Sequence, residues 1–187
     1  MVPLVFVTGR SEKAAEASRL GIEVERVAID LREPQALDPA EIAEEKARAA
    51  YLRLGRPVLV EDSALSIDAW KGFPGALVKW LEKSAGIEAL SRMLDPFAER
   101  GATAICVVAY CDGGSVVLGR GETRGAIAAR PRGAGGFGWD AIFVPEGEDR
   151  TFAEMAPPEK DRISHRRRAW DAIAEKLPRL RGGTANG

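Results

Sequence analysis

Residues 57–75, PVLVEDSALSIDAWKGFPG, form the stretch around which the rest of the chain is organised. The apolar run at 58–60 predicts a buried strand, and it leads into two adjacent carboxylates, Glu61 and Asp62. Because neighbouring side chains of a strand point to opposite faces, one carboxylate can line a cleft while the other faces elsewhere. Such a pair suits metal binding or the activation of a water molecule. Charges also end ordinary strands, so the pair alone leaves both interpretations open.

Strand and helix signals precede this stretch. A strand is predicted at residues 4–7, followed by a helix that runs to about Leu20 and ends at Gly21, and then by a strand at 24–31. The turn between the first strand and the helix leaves backbone N–H groups free to bind an anion, and Lys13 adds a positive charge there. It is not a Walker A loop, because the second glycine and the Gly-Lys-Ser/Thr ending are missing.

The next helix has clear start and stop signals. Asp38 is predicted to cap it, Pro39 suits its first position, and it is expected to run to Leu54 before Gly55 ends it. Lys46 falls near the edge of its apolar stripe. A lysine there either reaches to water or points into a cleft.

The segments after the carboxylate pair predict a mixed sheet. Two amphipathic helices are expected at about 75–83 and 87–94, and the apolar residues 102–110 predict a central strand. A turn at 112–114 and a return strand from Val116 form a hairpin with that strand. An antiparallel hairpin beside strands joined by helices makes the fold mixed α/β.

Two further segments are candidates for ligand binding. Residues 130–140, RPRGAGGFGWD, form a Gly-rich loop whose Phe137 and Trp139 either stack on a flat ring or cover the core. A short strand follows at 142–144. Residues 164–168, SHRRR, are expected to start the last helix, and their basic cluster either holds an electron-rich ligand or is a solvated face.

Composition excludes several classes of protein. The 187 residues are 45% hydrophobic and 29% charged, which predicts a folded domain. The formal net charge of −1 provides no general basic surface for nucleic acid. No apolar run reaches the length of a membrane span, and the first is too short for a secretory segment. The two cysteines predict neither a disulfide framework nor a zinc site, so we expect a cytoplasmic protein with reduced thiols and no membrane partner.

Five motifs, taken together and in order, closely resemble the inosine triphosphate pyrophosphatase family: TGRSEK at 8–13, EIAEEK at 41–46, LVEDSAL at 59–65 with GFPG at 72–75, GGFGWD at 135–140, and TFAEM…EKDRISHRRRA at 151–169. The resemblance implies an elongated central sheet flanked by helices, in two lobes with the active cleft between them. It implies one domain over residues 1–180, a flexible tail at 181–187, and a homodimer.

The same resemblance implies an activity and its residues. The family hydrolyses ITP, dITP and XTP to the monophosphate and pyrophosphate with Mg²⁺. Carried over, Asp62 and Lys46 are catalytic, and Asp62 and Glu33 bind the metal. The implied substrate contacts are Thr8, Gly9, Arg10, Lys13, Lys46, Asp62, Ser63, Lys79, Phe137, Gly138, Trp139, Asp140, Lys160, His165 and Arg166.

Among these contacts, we expect Arg10 to reach the triphosphate and Trp139 to stack on the base. N–H groups of Lys160, His165 or Arg166 would donate to the 6-oxygen of inosine and oppose the 6-amino group of adenine.

Two departures and two rival functions follow from the same residues. Arg10 stands where the family usually has Asn, and Ala76 and Leu77 stand where it has an aromatic residue, so the base preference of the pyrophosphatase can be shifted. A nucleotide-binding module without turnover is the other alternative, but the retained Glu61, Asp62 and lysines favour an enzyme. A nucleic-acid-binding protein is disfavoured by the net charge and by aromatics confined to one loop.

Overall fold

A computed structural model of the chain describes residues 4–177. The described strands form one open, seven-stranded sheet. In chain order they are β1 Leu4–Val7, β2 Val24–Val27, β3 Val58–Ile67, β4 Pro74–Gly75, β5 Gly101–Cys111, β6 Val116–Ile127 and β7 Phe143–Pro145. The α-helices are α1 Ser11–Arg19, α2 Pro39–Leu54, α3 Val78–Ala85, α4 Ile87–Arg92, α5 Pro157–Ile163 and α6 His165–Lys176. Short 3-10 turns lie at Asp68–Trp70, Gly138–Ile142 and Phe152–Glu154.

The sheet is mixed, as predicted. Its strand order is β2-β1-β3-β5-β6-β7, with β4 paired only to β3. β1 runs parallel to both β2 and β3, whereas β3, β5, β6 and β7 are successively antiparallel. The fold class, a mixed α/β sheet flanked by helices, is therefore confirmed, while the division of residues 1–180 into two lobes stays a prediction.

Side chains of β3 alternate between the two faces of the sheet, and a different layer of helices covers each face. Leu59 packs with Phe6 and with Trp170 of α6 on one face. Val58 and Val60 pack with α2 on the other face. Because Glu61 continues the first series and Asp62 the second, the two carboxylates leave the strand toward different layers.

The long helices begin and end where their local signals predict. The Asp38 carboxylate accepts the Ala40 N–H at 2.9 Å, Pro39 occupies the first turn, and Gly55 closes α2 in the left-handed conformation at φ 64°. The Ser164 hydroxyl caps α6 by accepting the Arg167 N–H at 3.1 Å.

Several expected boundaries were wrong. β2 ends at Val27 rather than at residue 31, because the chain turns away from the sheet to reach the cleft and pairs no further with β1. α3 begins at Val78, because Pro74 and Gly75 pair with β3 as the short strand β4. The tail predicted at 181–187 lies outside the described residues.

Two expectations from composition are consistent with the described residues. Cys106 and Cys111 are buried free thiols, and burial raises the pKa of Cys106 well above its usual value. Over residues 4–177, no helix is both long enough and apolar enough to cross a membrane.

Candidate active site

A cavity of about 610 Å³ opens beside the carboxyl end of β1 and the middle of β3. Its walls come from the turn after β1, the segment after β2, α2, β3, α3, the Gly-rich loop and the start of α6. The predicted site residues that line it are Thr8, Gly9, Arg10, Lys13, Glu33, Lys46, Asp62, Ser63, Lys79, Phe137, Gly138, Trp139, Asp140, His165 and Arg166. Lys160 is the predicted residue that does not line it, because it lies beneath the wall and is 3% exposed.

Glu61 is held inside the protein by cations. Its carboxylate is 3.1 Å from Lys13 Nζ and accepts the Arg166 Nε–H at 2.9 Å, and its side chain is fully buried. Burial by itself would raise the pKa of Glu61, but Arg166 and Lys13 outweigh it and bring this pKa to about 2. Glu61 is thus a permanently ionised structural anion at the back of the cavity.

Asp62 occupies a different environment on the opposite side of β3. Its Oδ1 lies 3.4 Å from Lys46 Nζ, and the same Nζ lies 2.9 Å from Glu33 Oε1. Lys79 Nζ binds the other Glu33 oxygen at 3.2 Å. Burial raises the pKa of Asp62 above its ordinary value, although Lys46 opposes this effect. The pair of carboxylates and the pair of lysines form an alternating polar cluster open to the cavity.

The residues present fit a hard divalent cation that is completed by its ligand. Within residues 4–177 no three Asp, Glu, His or Cys side chains are grouped to hold a metal by themselves. Asp62 and Glu33, however, both contact Lys46 Nζ, so their oxygens lie close together. Mg²⁺ is commonly bound by one or two carboxylates together with water and substrate phosphates, which matches this set.

A buried ionic network supports the cavity floor. The Arg166 guanidinium contacts Glu16 as well as Glu61, and Lys160 Nζ lies 3.0 Å from Glu16 Oε1 and 2.6 Å from Asp140 Oδ2. Glu16 was missed by the sequence reasoning. The pattern that could have indicated it is its spacing, because Glu16 lies three positions after Lys13 and four before Leu20, on the inward side of α1. Each cation in this network is neutralised by carboxylates from another element.

The Gly-rich loop presents one aromatic ring to the cavity and buries the other. Asp140 Oδ2 accepts the Phe137 N–H at 2.8 Å, and Gly136 at φ 66° leaves the space that this carboxylate fills. Phe137 is half-buried at the cavity wall. Trp139 is 7% exposed and packs edge-on against Phe143, at 5.7 Å between ring centroids. Little of the Trp139 surface is therefore exposed, and its stacking on the base stays a prediction.

The basic residues at the start of α6 point in two directions, two into the protein and two toward the surface. Neither a ligand site nor a solvated face therefore describes the whole run. His165 and Arg166 are buried, whereas Arg167 pairs with Asp171 on the surface and Arg168 donates to the Glu122 carbonyl oxygen. Both ring nitrogens of His165 are buried without a hydrogen-bond partner in the described protein. Burial lowers the pKa of His165 well below its usual value, so the ring is neutral.

Comparison with known proteins decides the family. A model of the Ham1 family matches residues 4–176. The chain belongs to the Ham1 family. A relative from Methanopyrus kandleri, named dITP/XTP pyrophosphatase, is 47% identical over 177 residues, which cover 92% of this chain and 94% of that protein. An inosine triphosphate pyrophosphatase of Yarrowia lipolytica is 44% identical over 177 residues, covering 91% of this chain and 93% of that protein.

Solved structures place the fold of this Ham1 family member among its relatives. The HAM1 protein from Coxiella burnetii superposes with a TM-score of 0.84 at 31% identity, over 96% of this chain and 100% of that one. The Ham1 protein of Staphylococcus aureus matches with a TM-score of 0.80 at 26% identity, over 93% and 97% of the two chains. The recognised resemblance and the mixed fold are thus both confirmed.

Proposed function

We propose that this Ham1 family protein hydrolyses non-canonical purine nucleoside triphosphates, ITP, dITP and XTP, to the monophosphate and pyrophosphate with Mg²⁺. The observation that carries the proposal is the cluster of Lys46, Lys79, Asp62 and Glu33 at one side of the cavity. Cations interleaved with two carboxylates suit a metal-bound polyphosphate. The names of the relatives support the substrate class.

The lysines supply the electrostatic part of the reaction. Lys13 and Lys46 both donate to the Glu61 carbonyl oxygen, at 3.5 and 3.4 Å, so their ammonium groups converge on one region of the cavity. Phosphoryl transfer needs positioning and stabilisation of negative charge more than covalent chemistry. We assign Lys13, Lys46 and Lys79 to the triphosphate, with the free N–H groups at the start of α1 beside them.

Asp62 is the group that we assign to the attacking water. Burial raises its pKa above the ordinary value, which makes its ionised form a better proton acceptor than an ordinary surface carboxylate. In the step, the water oxygen bonds to the α-phosphorus, the bridging P–O bond to the β-phosphate breaks, Asp62 accepts the proton, and pyrophosphate leaves. Lys46 beside Asp62 orients the carboxylate and neutralises the phosphate.

Mg²⁺, held by Asp62 and Glu33 together with substrate phosphates, would supply the Lewis acid that neutralises charge on the transferred group. For this to happen, Lys46 and Lys79 move from Glu33 onto the phosphates. The Lys79–Glu33 pair is partly exposed, whereas the Lys46 side chain is largely buried, so Lys79 exchanges partners at a lower cost than Lys46.

The base is proposed to lie between the Gly-rich loop and the start of α6. Phe137 offers a half-buried aromatic ring. The neutral His165 also lines the cavity, and its two buried ring nitrogens have no hydrogen-bond partner within residues 4–177. Lys160 and Arg166 are already bound by carboxylates, so their donors are less available than the sequence alone indicated. A neutral ring N–H of His165 remains as a donor to a 6-oxo group.

A panel of triphosphates tests the proposal. ITP and XTP with Mg²⁺ should yield pyrophosphate and monophosphate, with ATP turned over at least about tenfold more slowly, the scale of one mismatched buried donor. Release of orthophosphate, or equal rates on ITP and ATP, would refute it. Tight binding of ITP without product favours the alternative, a nucleotide-binding module. The homodimer, the cytoplasmic location and the lack of a nucleic-acid partner stay predictions, and light scattering tests the first.

A further inference from the structure

The Arg10 side chain leaves the turn after β1 and crosses to the Gly-rich loop. Its backbone N–H is held by Thr8 Oγ1 at 3.2 Å, which fixes where the side chain starts. Its Cζ lies 5.8 Å from the centroid of the Phe137 ring. Its Nη1 would be 3.7 Å from a Cβ added at Gly138, so it reaches over the loop backbone as well.

Arg10 differs from the other two cations at this ring, because within residues 4–177 no carboxylate lies at ion-pair distance from its guanidinium. Arg166 Cζ and Lys160 Nζ lie 5.2 and 5.1 Å from the Phe137 centroid, but both are neutralised by buried carboxylates. Within residues 4–177 the Arg10 guanidinium makes no hydrogen bond and no ion pair. Its Cζ lies over the Phe137 ring, and such a cation–π contact is weak enough to be exchanged.

We propose that Arg10 forms the outer wall of the base subsite, so that the purine is sandwiched between the Phe137 ring and the Arg10 guanidinium. The inference rests on the proposed function and names a specificity residue for it. Two stacking contacts of about 3.5 Å each separate the outer planes by about 7 Å. The guanidinium carbon now lies 5.8 Å from the ring centroid, so the guanidinium must move outward for a purine to enter between them. A long, unpaired arginine side chain can make that movement, and guanidinium planes stack well on bases.

The geometry favours a base contact over the triphosphate contact that the sequence suggested. The phosphate-binding lysines, Lys13 and Lys46, converge on the Glu61 carbonyl oxygen, whereas the Arg10 guanidinium lies against Phe137 and Gly138. A flat base inserted under the guanidinium keeps a stacked partner on both of its faces. Such a sandwich selects for large flat bases and does not by itself separate 6-oxo from 6-amino purines.

The test compares Arg10→Lys and Arg10→Ala with the unmodified protein. Lysine keeps the charge and loses the planar face, so both variants should raise KM for ITP at least about fivefold, the loss of one stacking contact, with kcat within about twofold. Inhibition by inorganic tripolyphosphate, which has no base, should be unchanged. Arg48→Lys, at an exposed arginine of α2 paired with Glu44, is the matched control and should leave KM unaltered.

Other results would overturn the inference in distinguishable ways. If Arg10→Lys retains KM while Arg10→Ala weakens inhibition by tripolyphosphate, Arg10 contacts phosphate. If all constants are equal, the side chain points to solvent. If the unmodified protein releases no pyrophosphate from ITP, the proposed function fails, but the Kd of IMP measured by calorimetry still tests Arg10. That Kd should rise at least about fivefold in Arg10→Lys, and an equal Kd in the two proteins rejects the sandwich.

Discussion

Glu61 and Asp62 are adjacent in β3, and their side chains meet opposite surroundings. Glu61 faces the layer of α1 and α6, where Arg166 and Lys13 hold its pKa at about 2 against the effect of burial. Asp62 faces the cavity beside Lys46, and burial raises its pKa. At the scale of single residues, the alternation of the strand therefore separates the buried anion Glu61 from Asp62, the carboxylate that we assign to the attacking water.

Replacement of Asp62 by Asn tests the chemical assignment. Because the folded protein disfavours the ionised form of Asp62, the neutral amide should leave the melting temperature unchanged or slightly higher. Turnover of ITP should fall at least about a hundredfold, the scale of a lost proton acceptor or metal ligand. The measurements are kcat and a calorimetric melting curve. A larger loss of kcat in Glu61→Gln, at an unchanged melting temperature, would exchange the two roles.

The pH dependence of stability tests the structural assignment of Glu61. Its folded pKa of about 2 lies below the ordinary value near 4.3, so its ionised form stabilises the protein above pH 5, and that stabilisation disappears as pH falls from about 5 to about 2. The difference corresponds to about 3 kcal/mol. Glu61→Gln should lower the free energy of unfolding by about that amount at pH 7. The variant should also lose less stability than the unmodified protein between pH 5 and pH 2, as measured by urea unfolding at several pH values.

The control for that experiment is Glu25→Gln. Glu25 is paired with Arg56 on the exposed surface, where water and salt screen the interaction. The Glu25→Gln variant should lose stability at low pH almost as the unmodified protein does. If Glu61→Gln loses as much stability between pH 5 and pH 2 as the unmodified protein, other carboxylates account for the acid dependence.

At the scale of elements, close packing of α6 on β6 positions the side of the cavity that we assign to the purine base. Gly119 and Gly121 face the helix, and a Cβ at Gly121 would lie 2.2 Å from the His165 carbonyl oxygen and 2.3 Å from the Ala169 nitrogen. The absence of side chains brings the start of α6 against the sheet. His165 and Arg166 are aimed inward as a result.

Gly121→Ala should therefore push the start of α6 away from β6. We expect a loss of stability of at least about 1–3 kcal/mol, typical of overpacking, together with a raised KM for ITP. Gly114→Ala is the matched control, because its Cβ would meet only an Asp112 oxygen at 3.7 Å and its backbone is not left-handed. The measurements are the melting temperature and the KM for ITP of both variants. An unaltered melting temperature in Gly121→Ala would contradict the packing argument.

At the scale of the whole molecule, the cavity collects charge from segments that are far apart in the chain. Lys160 pairs with Glu16 across 144 positions, and Arg166 with Glu16 across 150. α1, α5, α6, β3 and the Gly-rich loop are thereby joined under one site. A polyanion bound above them contacts elements from both ends of the described chain.

Binding of Mg²⁺ with inorganic tripolyphosphate should thus stabilise the entire fold. At a ligand concentration of 100 times Kd, the free energy of unfolding should rise by about 2.7 kcal/mol, which corresponds to about 5–10 °C in melting temperature for a chain of this size. Chelation of the metal should reduce the shift. Lys46→Met should nearly abolish it, whereas Lys176→Met, at a surface lysine bound to the Leu118 carbonyl oxygen, should keep it. A full shift in Lys46→Met would exclude that lysine from the phosphate site.

The sequence by itself determined the local features of this protein. The apolar run before Glu61 and Asp62, the Asp38 and Ser164 caps and the turn at 112–114 each depend on neighbours within a few positions, and each is present in the structure. The order of the five motifs identified the family, which the comparisons bear out. Periodicity is a short-range property, so it predicts faces and boundaries directly.

The tertiary structure alone decided which groups are free to act. Nothing local indicates that Lys160 and Arg166 are ion-paired with Glu16, or that Arg10 lies over the Phe137 ring. These outcomes depend on contacts between distant segments. The protonation and availability of a buried charge are set by the partners that packing brings to it, and a linear pattern does not record them.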